Sequence, residues 1–517
     1  MALELPLSLD DQAELPLHRQ LYARVRLAIL EGRLAAGSRL PSTRALAASL
    51  RLSRNTVATA YDQLLAEGYI TARTGSGTYV CETPPEELLH IGERAGGTPT
   101  PPFVPVVPPL SAWAHRALAG RIHESPYRSG PPLSYDFRDG RPAVDYFPTD
   151  LWRRLITRRL RSPDLTQFGY GPSSGYPPLR EVVTDYLRRA RAVRCTPEQV
   201  LIVNGSQQAL DLLARVCLDP HDPVVVEDPG YLGARRAFAA QGARLLPAPV
   251  DSAGLVVDDL DRATHGLDPR LIYVTPSHQY PTGAVMSLPR RLALLRWARA
   301  HGSLVLEDDY DSEFRYTGRP VEALQGLDHG DIVVYIGTFS KVLFPSLRMG
   351  YLVLPPALVE AVSTAKWLSD RYTATLEQQV LADFFAEGHF DRHLRAMRQV
   401  YQARHDTFLE GLRRELGDFI LPPQGGAGLH TLITLRDPVC MDALVEDAAA
   451  VGVGIYPAHP YFLCPPAHAS LVMGFTGLSE TAIEEGLRRL GGVVRKAARA
   501  GGHGLKTVQG SARLSPN

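Results

Sequence analysis

A small three-helix unit with a β-wing, a proline-rich connection, and a large α/β unit on a mostly parallel sheet are what the residue pattern predicts. Three observations lead there. Residues 1–80 carry a period-four apolar stripe, two further helix starts and a glycine-rich hairpin; eleven prolines fall between Cys81 and Pro132; beyond them, six short apolar runs alternate with stretches of helical period.

The first helix lies in PLHRQLYARVRLAILEG, where Leu17, Leu21, Val25 and Ile29 recur every four residues. Ser42 in LPSTRALAASL and Ser53 in SRNTVATAYDQLLAEG are N-cap residues that start a second and a third helix. Val57, Tyr61 and Leu64 face inward on the third, which leaves Arg54 and Asn55 exposed in its first turn. YITAR and TYV then alternate as short strands around Thr74-Gly75-Ser76-Gly77, a hairpin turn. Three helices followed by a wing are a winged helix-turn-helix. In that arrangement Arg54 and Asn55 reach base edges in the major groove, while Arg39, Arg44 and Arg73 flank them and meet phosphates. The alternative is a helical interaction domain with exposed arginines, since basic side chains outnumber acidic ones here only by nine to seven. Through LPSTRALA, SRNTV and GSGTYV, residues 14–80 resemble the DNA-binding domain of GntR-type bacterial regulators. That resemblance implies double-stranded operator DNA as partner and adds Ser42, Ser53, Thr56, Gly75 and Gly77 to the DNA-facing set.

In the second part the apolar runs are VLIV at 200, VVVE at 224, LIYV at 271, LVLE at 304, IVVYI at 332 and YLVL at 351. Buried strands interleaved with helices place a ligand beyond the strands' carboxyl ends. After the first run, Gly205, Ser206 and Gln207 open a helix whose free N–H groups suit a phosphate. Tyr231, in EDPGY, offers a flat ring for a heterocycle. EDDYD puts three acids at the end of an apolar run, either open to water or paired with a cation such as a protonated pyridine nitrogen. Thr338 and Arg348 bracket Lys341 in GTFSKVLFPSLR, and Arg348 can clamp a phosphate bidentately. The chain holds four lysines against fifty-one arginines, and a guanidinium cannot replace an amine that forms a Schiff base. Lys341 is therefore the chemical suspect, while Lys366, Lys496 and Lys506 read as ordinary helix or tail positions.

Phosphate cup, stacking ring, acid, lysine and arginine together are what pyridoxal 5'-phosphate asks of a protein. Residues 135–495 look like a fold-type I aminotransferase with a smaller C-terminal α+β subdomain, and the whole chain resembles the MocR/GabR subfamily of GntR-type transcriptional regulators. The resemblance implies that Lys341 forms the Schiff base, Asp308 pairs with the pyridine nitrogen, Tyr310 bonds the ring's phenolic oxygen and Tyr231 stacks. It implies that Gly205, Ser206, Gln207, Thr338 and Arg348 hold the phosphate, and that Tyr170 reaches the phosphate of a neighbouring subunit in a head-to-tail homodimer. Two positions depart from working aminotransferases. Tyr280 in SHQYPTG stands where they place asparagine, as in the regulators, where His278 and Gln279 also have counterparts; Val472 in LVMGFTGLSE stands where they place a carboxylate-binding arginine. His430, in GGAGLHTL, is either an effector contact or a structural histidine.

The expected division is residues 1–80 for DNA, 81–132 for the linker, 133–500 for the cofactor domain (large part about 165–365, small part from about 366) and a disordered tail from 501. Basic and acidic residues balance at 55 each, so no global field marks a polyanion binder. Five scattered cysteines lack metal-ligand spacing, no apolar run spans a bilayer, and the N-terminus carries no leader pattern; a cytoplasmic protein without a metal is expected. The function implied is a regulator that senses pyridoxal phosphate or an amine or amino acid reacting with it, residual transamination remaining open. A catalytically active aminotransferase with an accessory DNA-binding head is the alternative.

Overall fold

Leu21, Val25 and Ile29 are buried on the helix Leu17–Leu30, and they meet Val57, Tyr61 and Leu64 of the helix Arg54–Ala66 in one core. The computed structural model describes residues 9–10, 13, 15–88, 109–120, 133–162, 169–316, 321–423 and 427–508. Ser42 and Ser53 start the second and third helices of the head, their hydroxyls accepting from Ala45 N at 3.2 Å and Thr56 N at 3.0 Å. The wing pairs Ile70–Arg73 with Gly77–Val80 antiparallel, Arg73 opposite Gly77. Gly75 at φ 74° and Gly77 at φ 122° supply the left-handed turn that side chains disfavour. Ser38–Leu40 edges the wing, with Leu40 N donating to Thr78 O at 2.8 Å.

Residues 1–109 and 110–517 form two compact units. In the larger unit all six apolar runs are strands of one eight-stranded sheet. Named by first residue, its order is Val200, Gly350, Val333, Leu304, Leu271, Pro223, Arg244, Gly254. From Val333 through Arg244 neighbours run parallel; Gly350–Val353 is antiparallel to both its neighbours, and Gly254–Leu255 to Arg244–Asp251. Beyond it, His430–Thr434, Ser470–Gly474 and Tyr456–Pro457 form a three-stranded antiparallel sheet. The helices His389–Leu416 and Glu480–Val508 cover it around Phe137, Phe408 and Phe475.

Two stretches differ from the expected division. The 81–132 segment, expected to be extended, contains the helices Pro85–Leu88 and Ala112–Ala119. Ser111 caps the second, and Arg116 donates to Ala240 O at 2.9 Å, placing its cation at the negative end of the helix Leu232–Gln241. The stretch from Gly501, expected to be a disordered tail, begins inside the last helix, which runs to Val508; glycine costs a helix about 1 kcal/mol per residue. Residues 509–517 lie outside the described ones. No helix among the described residues is long and apolar enough to cross a membrane.

Candidate functional site

Asp308 is the penultimate residue of the strand Leu304–Asp309 and is paired in register with Ile336 of the parallel strand Val333–Thr338, so Lys341, three residues past Thr338, opens onto the same sheet edge. There a cavity of about 520 Å³ is lined by Ser206, Gln207, Tyr231, Asp308, Tyr310, Thr338, Lys341 and Arg348, among others. Gly205 sits beneath Arg348: a Cβ there would lie 3.2 Å from Nη2, and its φ of 82° is a glycine conformation.

The helix Ser206–Cys217 has no side-chain cap, which leaves its first N–H groups for an anion, and Arg348 beside them donates Nη2 to Asn204 O at 3.2 Å. The Asn204 side chain is tied in turn to Asp370, whose Oδ2 also accepts from Gln208 at 2.8 Å and Lys366 at 2.9 Å. Lys366 is thus no ordinary helix lysine: it is fully buried, and its ion pair braces the turn that carries the anion site.

Asp308 is 4% exposed. Its Oδ2 accepts from the Tyr273 hydroxyl at 2.7 Å, while its Oδ1 is buried with no hydrogen-bond partner. Loss of water pushes this carboxyl up to about 7 from 3.8, and neighbouring Asp309 and Asp311 add to that. Lys341 Nζ donates to Gly140 O at 3.1 Å. The Tyr310 hydroxyl lies 2.9 Å from His278 O and 3.0 Å from His278 Nδ1, which itself stands 3.0 Å from Asp311 Oδ2. A carboxylate only accepts, so Nδ1 carries its proton toward Asp311, and Tyr310 donates to the His278 carbonyl. His278, Asp311 and His430 offer ligand atoms within 4.8 Å of one another, a cluster their spacing in the chain conceals.

On the opposite wall Tyr280 donates its hydroxyl to Asp139 Oδ2 at 2.7 Å and stands edge-on to Tyr231 and Tyr461, at 5.7 and 5.1 Å between ring centres. Val472 is fully buried and packs with Tyr280, Ala458 and Tyr461. His430 lines the cavity, and burial, then neighbouring His278, lowers its imidazole to about 3. Tyr170 stands apart from this cavity, 86% exposed, its ring against Tyr372 at 5.7 Å.

On the head, Arg39, Arg44, Arg54, Asn55 and Arg73 are exposed, as are Ser42, Ser53, Gly75 and Gly77; Thr56 is half-buried and lies 2.8 Å from the Ser53 hydroxyl. Arg73 stacks over the Tyr79 ring at 4.8 Å, and Arg39 Nε lies 2.9 Å from where a Gly77 Cβ would stand.

Residues 17–80 match the family model of bacterial regulatory proteins of the GntR family, and residues 149–488 that of class I and II aminotransferases. The probable rhizopine catabolism regulatory protein MocR of Rhizobium meliloti is 40% identical over 94% of this chain and 95% of its own. The pyridoxine biosynthesis transcriptional regulator PdxR of Corynebacterium glutamicum is 30% identical over 93% and 97%. The chain belongs to the MocR-type GntR-family transcriptional regulators. Among solved structures, the α-aminoadipate aminotransferase LysN of Thermus thermophilus, complexed with N-(5'-phosphopyridoxyl)-L-leucine, superposes with a TM-score of 0.67 at 31% identity, covering 75% of this chain and 96% of that one. The aminotransferase fold is one that generally depends on pyridoxal phosphate, and the GntR domain is one that binds DNA.

Several residues of this MocR-type regulator's cavity escape sequence reasoning. Tyr273 carried a signal: a tyrosine inside the buried run LIYV needs a partner for its hydroxyl, and Asp308 is that partner. Arg138, Asp139 and Gly140 carried none, because they precede the alternating pattern and reach the site only through the tertiary fold. Gly233 also lines it; a Cβ there would fall 2.6 Å from Gln207 Oε1.

Proposed function

We propose that this regulator holds pyridoxal 5'-phosphate at Lys341 and uses it to sense a small primary amine, altering operator binding by its winged helix. The observation that carries the reading is Asp308. A buried carboxylate oxygen without a partner, on a cavity that also holds a lysine and an arginine-flanked helix start, suits a group with a cationic ring nitrogen and a phosphate. The residues fit that group: Asp308 would keep the ring nitrogen protonated, Tyr231 would cover one face, and Tyr310 would stand at the phenolic oxygen. Ser206, Gln207, Thr338 and Arg348, with the N–H groups after Gly205, would hold the phosphate. When bound, the cofactor supplies an electrophilic carbon to which a primary amine couples. Lys341 would hold the group through its Nζ, which here donates to Gly140 O at 3.1 Å.

The exposed Tyr170 supports a homodimer, head-to-tail, in which it completes the partner's phosphate site. Arg54 and Asn55 would read bases while Arg39, Arg44 and Arg73 meet phosphates, with Ser42, Ser53, Thr56, Gly75 and Gly77 shaping that face. A DNA-bound regulator of this kind works in the cytoplasm. The test is operator affinity of the full-length protein with and without pyridoxal phosphate and a panel of amines. A change with cofactor or amine is expected; identical affinity under every condition, or steady transaminase turnover with any amine of the panel, would overturn the sensing role.

A further inference from the structure

Resting on the reading that the cavity holds pyridoxal 5'-phosphate, we propose that Lys366 is a positioning residue for the phosphate and sets the site's preference for a phosphorylated cofactor. Lys366 does not line the cavity. One turn earlier on its helix, Pro356–Asp370, Val362 is buried in the apolar core. Lys366 is as deeply buried, at 0% exposed, yet it gives its amine to both oxygens of Asp370, at 2.8 and 2.9 Å. Apolar side chains of similar volume would serve stability at least as well, so what this ion pair supplies lies in the other contacts of Asp370.

Asp370 Oδ2 also accepts from Asn204 Nδ2 at 2.6 Å and Gln208 Nε2 at 2.8 Å. Gln208 Oε1 in turn takes the Asn204 N–H at 2.7 Å, and the Asn204 carbonyl takes Arg348 Nη2 at 3.2 Å. Asn204 is thus held by its side chain, its N–H and its carbonyl, immediately before Gly205 and the uncapped helix start at Ser206. The frame of the anion site hangs on one carboxylate. That carboxylate is itself an anion beside the place suited to a phosphate. Alone it would fix the frame and repel the ligand; paired with a buried ammonium, it fixes the frame at no net charge.

The experiment measures the Kd of the full-length protein for pyridoxal 5'-phosphate and for pyridoxal, which lacks the phosphate, by visible absorption and tryptophan fluorescence. Lys366→Gln keeps a donor for Asp370 and removes the charge. It should bind pyridoxal phosphate at least about tenfold more weakly, while pyridoxal affinity changes less than about threefold. Adding Asp370→Asn removes the anion and leaves an amide oxygen for Asn204 and Gln208, so most of the lost affinity should return. Lys366→Met gives the same comparison if the glutamine variant does not fold. Equal losses for the two compounds mark a general defect of the fold and overturn the inference. So do a single variant that binds as the wild type does, a double variant no better than the single one, and a wild type that binds both compounds equally. A wild-type protein that binds neither compound is a different failure, which sinks the parent reading and this inference with it.

Discussion

Replacing Asp308 by asparagine separates what the carboxylate costs the cofactor-free fold from what it contributes when the cofactor is bound. Asparagine keeps a carbonyl oxygen for the Tyr273 hydroxyl, so the charge goes while the shape stays. In the cofactor-free protein the carboxyl titrates at about 7 rather than 3.8, chiefly because it is buried. The folded chain therefore holds this proton more tightly than the unfolded chain, and ionisation opposes folding. The penalty is absent well below pH 3.8, grows as pH rises toward 7, and is complete above that. At about 1.4 kcal/mol per pH unit it reaches about 4 kcal/mol at pH 8 but only about 2 kcal/mol at pH 5. The new amide N–H₂, facing the cavity, offsets about 1–3 kcal/mol of the gain equally at both pH values. The difference in stability between Asp308→Asn and the parent should thus move by about 2–3 kcal/mol in the variant's favour from pH 5 to pH 8. Urea unfolding of cofactor-free full-length protein, followed by tryptophan fluorescence at both pH values, measures it. With pyridoxal phosphate present the order reverses, the variant binding cofactor at least about tenfold more weakly through loss of a charge-assisted bond. A stability difference that ignores pH would refute the claim that burial dominates at Asp308.

Lys341→Ala should abolish the visible absorption of protein mixed with pyridoxal phosphate and desalted, while far-UV circular dichroism stays unchanged; a retained band would move the anchor elsewhere. Arg54→Ala should cost about 1–3 kcal/mol of operator affinity and relax sequence preference, whereas Arg73→Ala should weaken all duplexes alike and lower the salt slope by about one, both read by fluorescence anisotropy. Gly428→Ala should destabilise by about 2–4 kcal/mol in denaturant unfolding. Gly428 holds φ +79°, and an added Cβ would fall on the His278 ring, displacing the imidazole from Asp311.

Local signals made much of this legible in the chain. The six apolar runs are strands because uninterrupted Val, Ile and Leu can be buried on both faces only in such a sheet. Ser42 and Ser53 mark true helix starts because a cap is satisfied within three residues. The strand Arg244–Asp251 was not legible: RLLPAPVD carries Pro247 and Pro249, and it lies near the sheet edge, covered on its outer side only by the two-residue strand Gly254–Leu255. Nor was the wall opposite Lys341. Lys341 meets Gly140 across 201 residues, and Tyr280 meets Asp139 across 141. Those contacts exist because Tyr135–Asp136 pairs with Val453–Gly454, which carries the start of the large unit into its C-terminal subdomain.

The same threading explains why a ligand here can be felt beyond the cavity. Asp308, Lys341 and Arg348 belong to the eight-stranded sheet and its loops, while His430, Tyr456 and Tyr461 belong to the three-stranded sheet and its neighbours, so the cavity is the joint between two separately packed cores. The joint is fastened beside the site: Gly428 N donates to Phe314 O at 2.7 Å, Leu429 N to Asp311 Oδ2 at 3.2 Å, and the Tyr316 hydroxyl to Gly428 O at 2.7 Å. Asp311 holds His278, and His278 holds Tyr310, so a ligand that moves Tyr310 pulls on the same fastening. On the sensing reading, an amine acts by favouring one spacing of the two cores over another. Its effect on DNA binding is bounded by that difference in affinity and not by how tightly it binds.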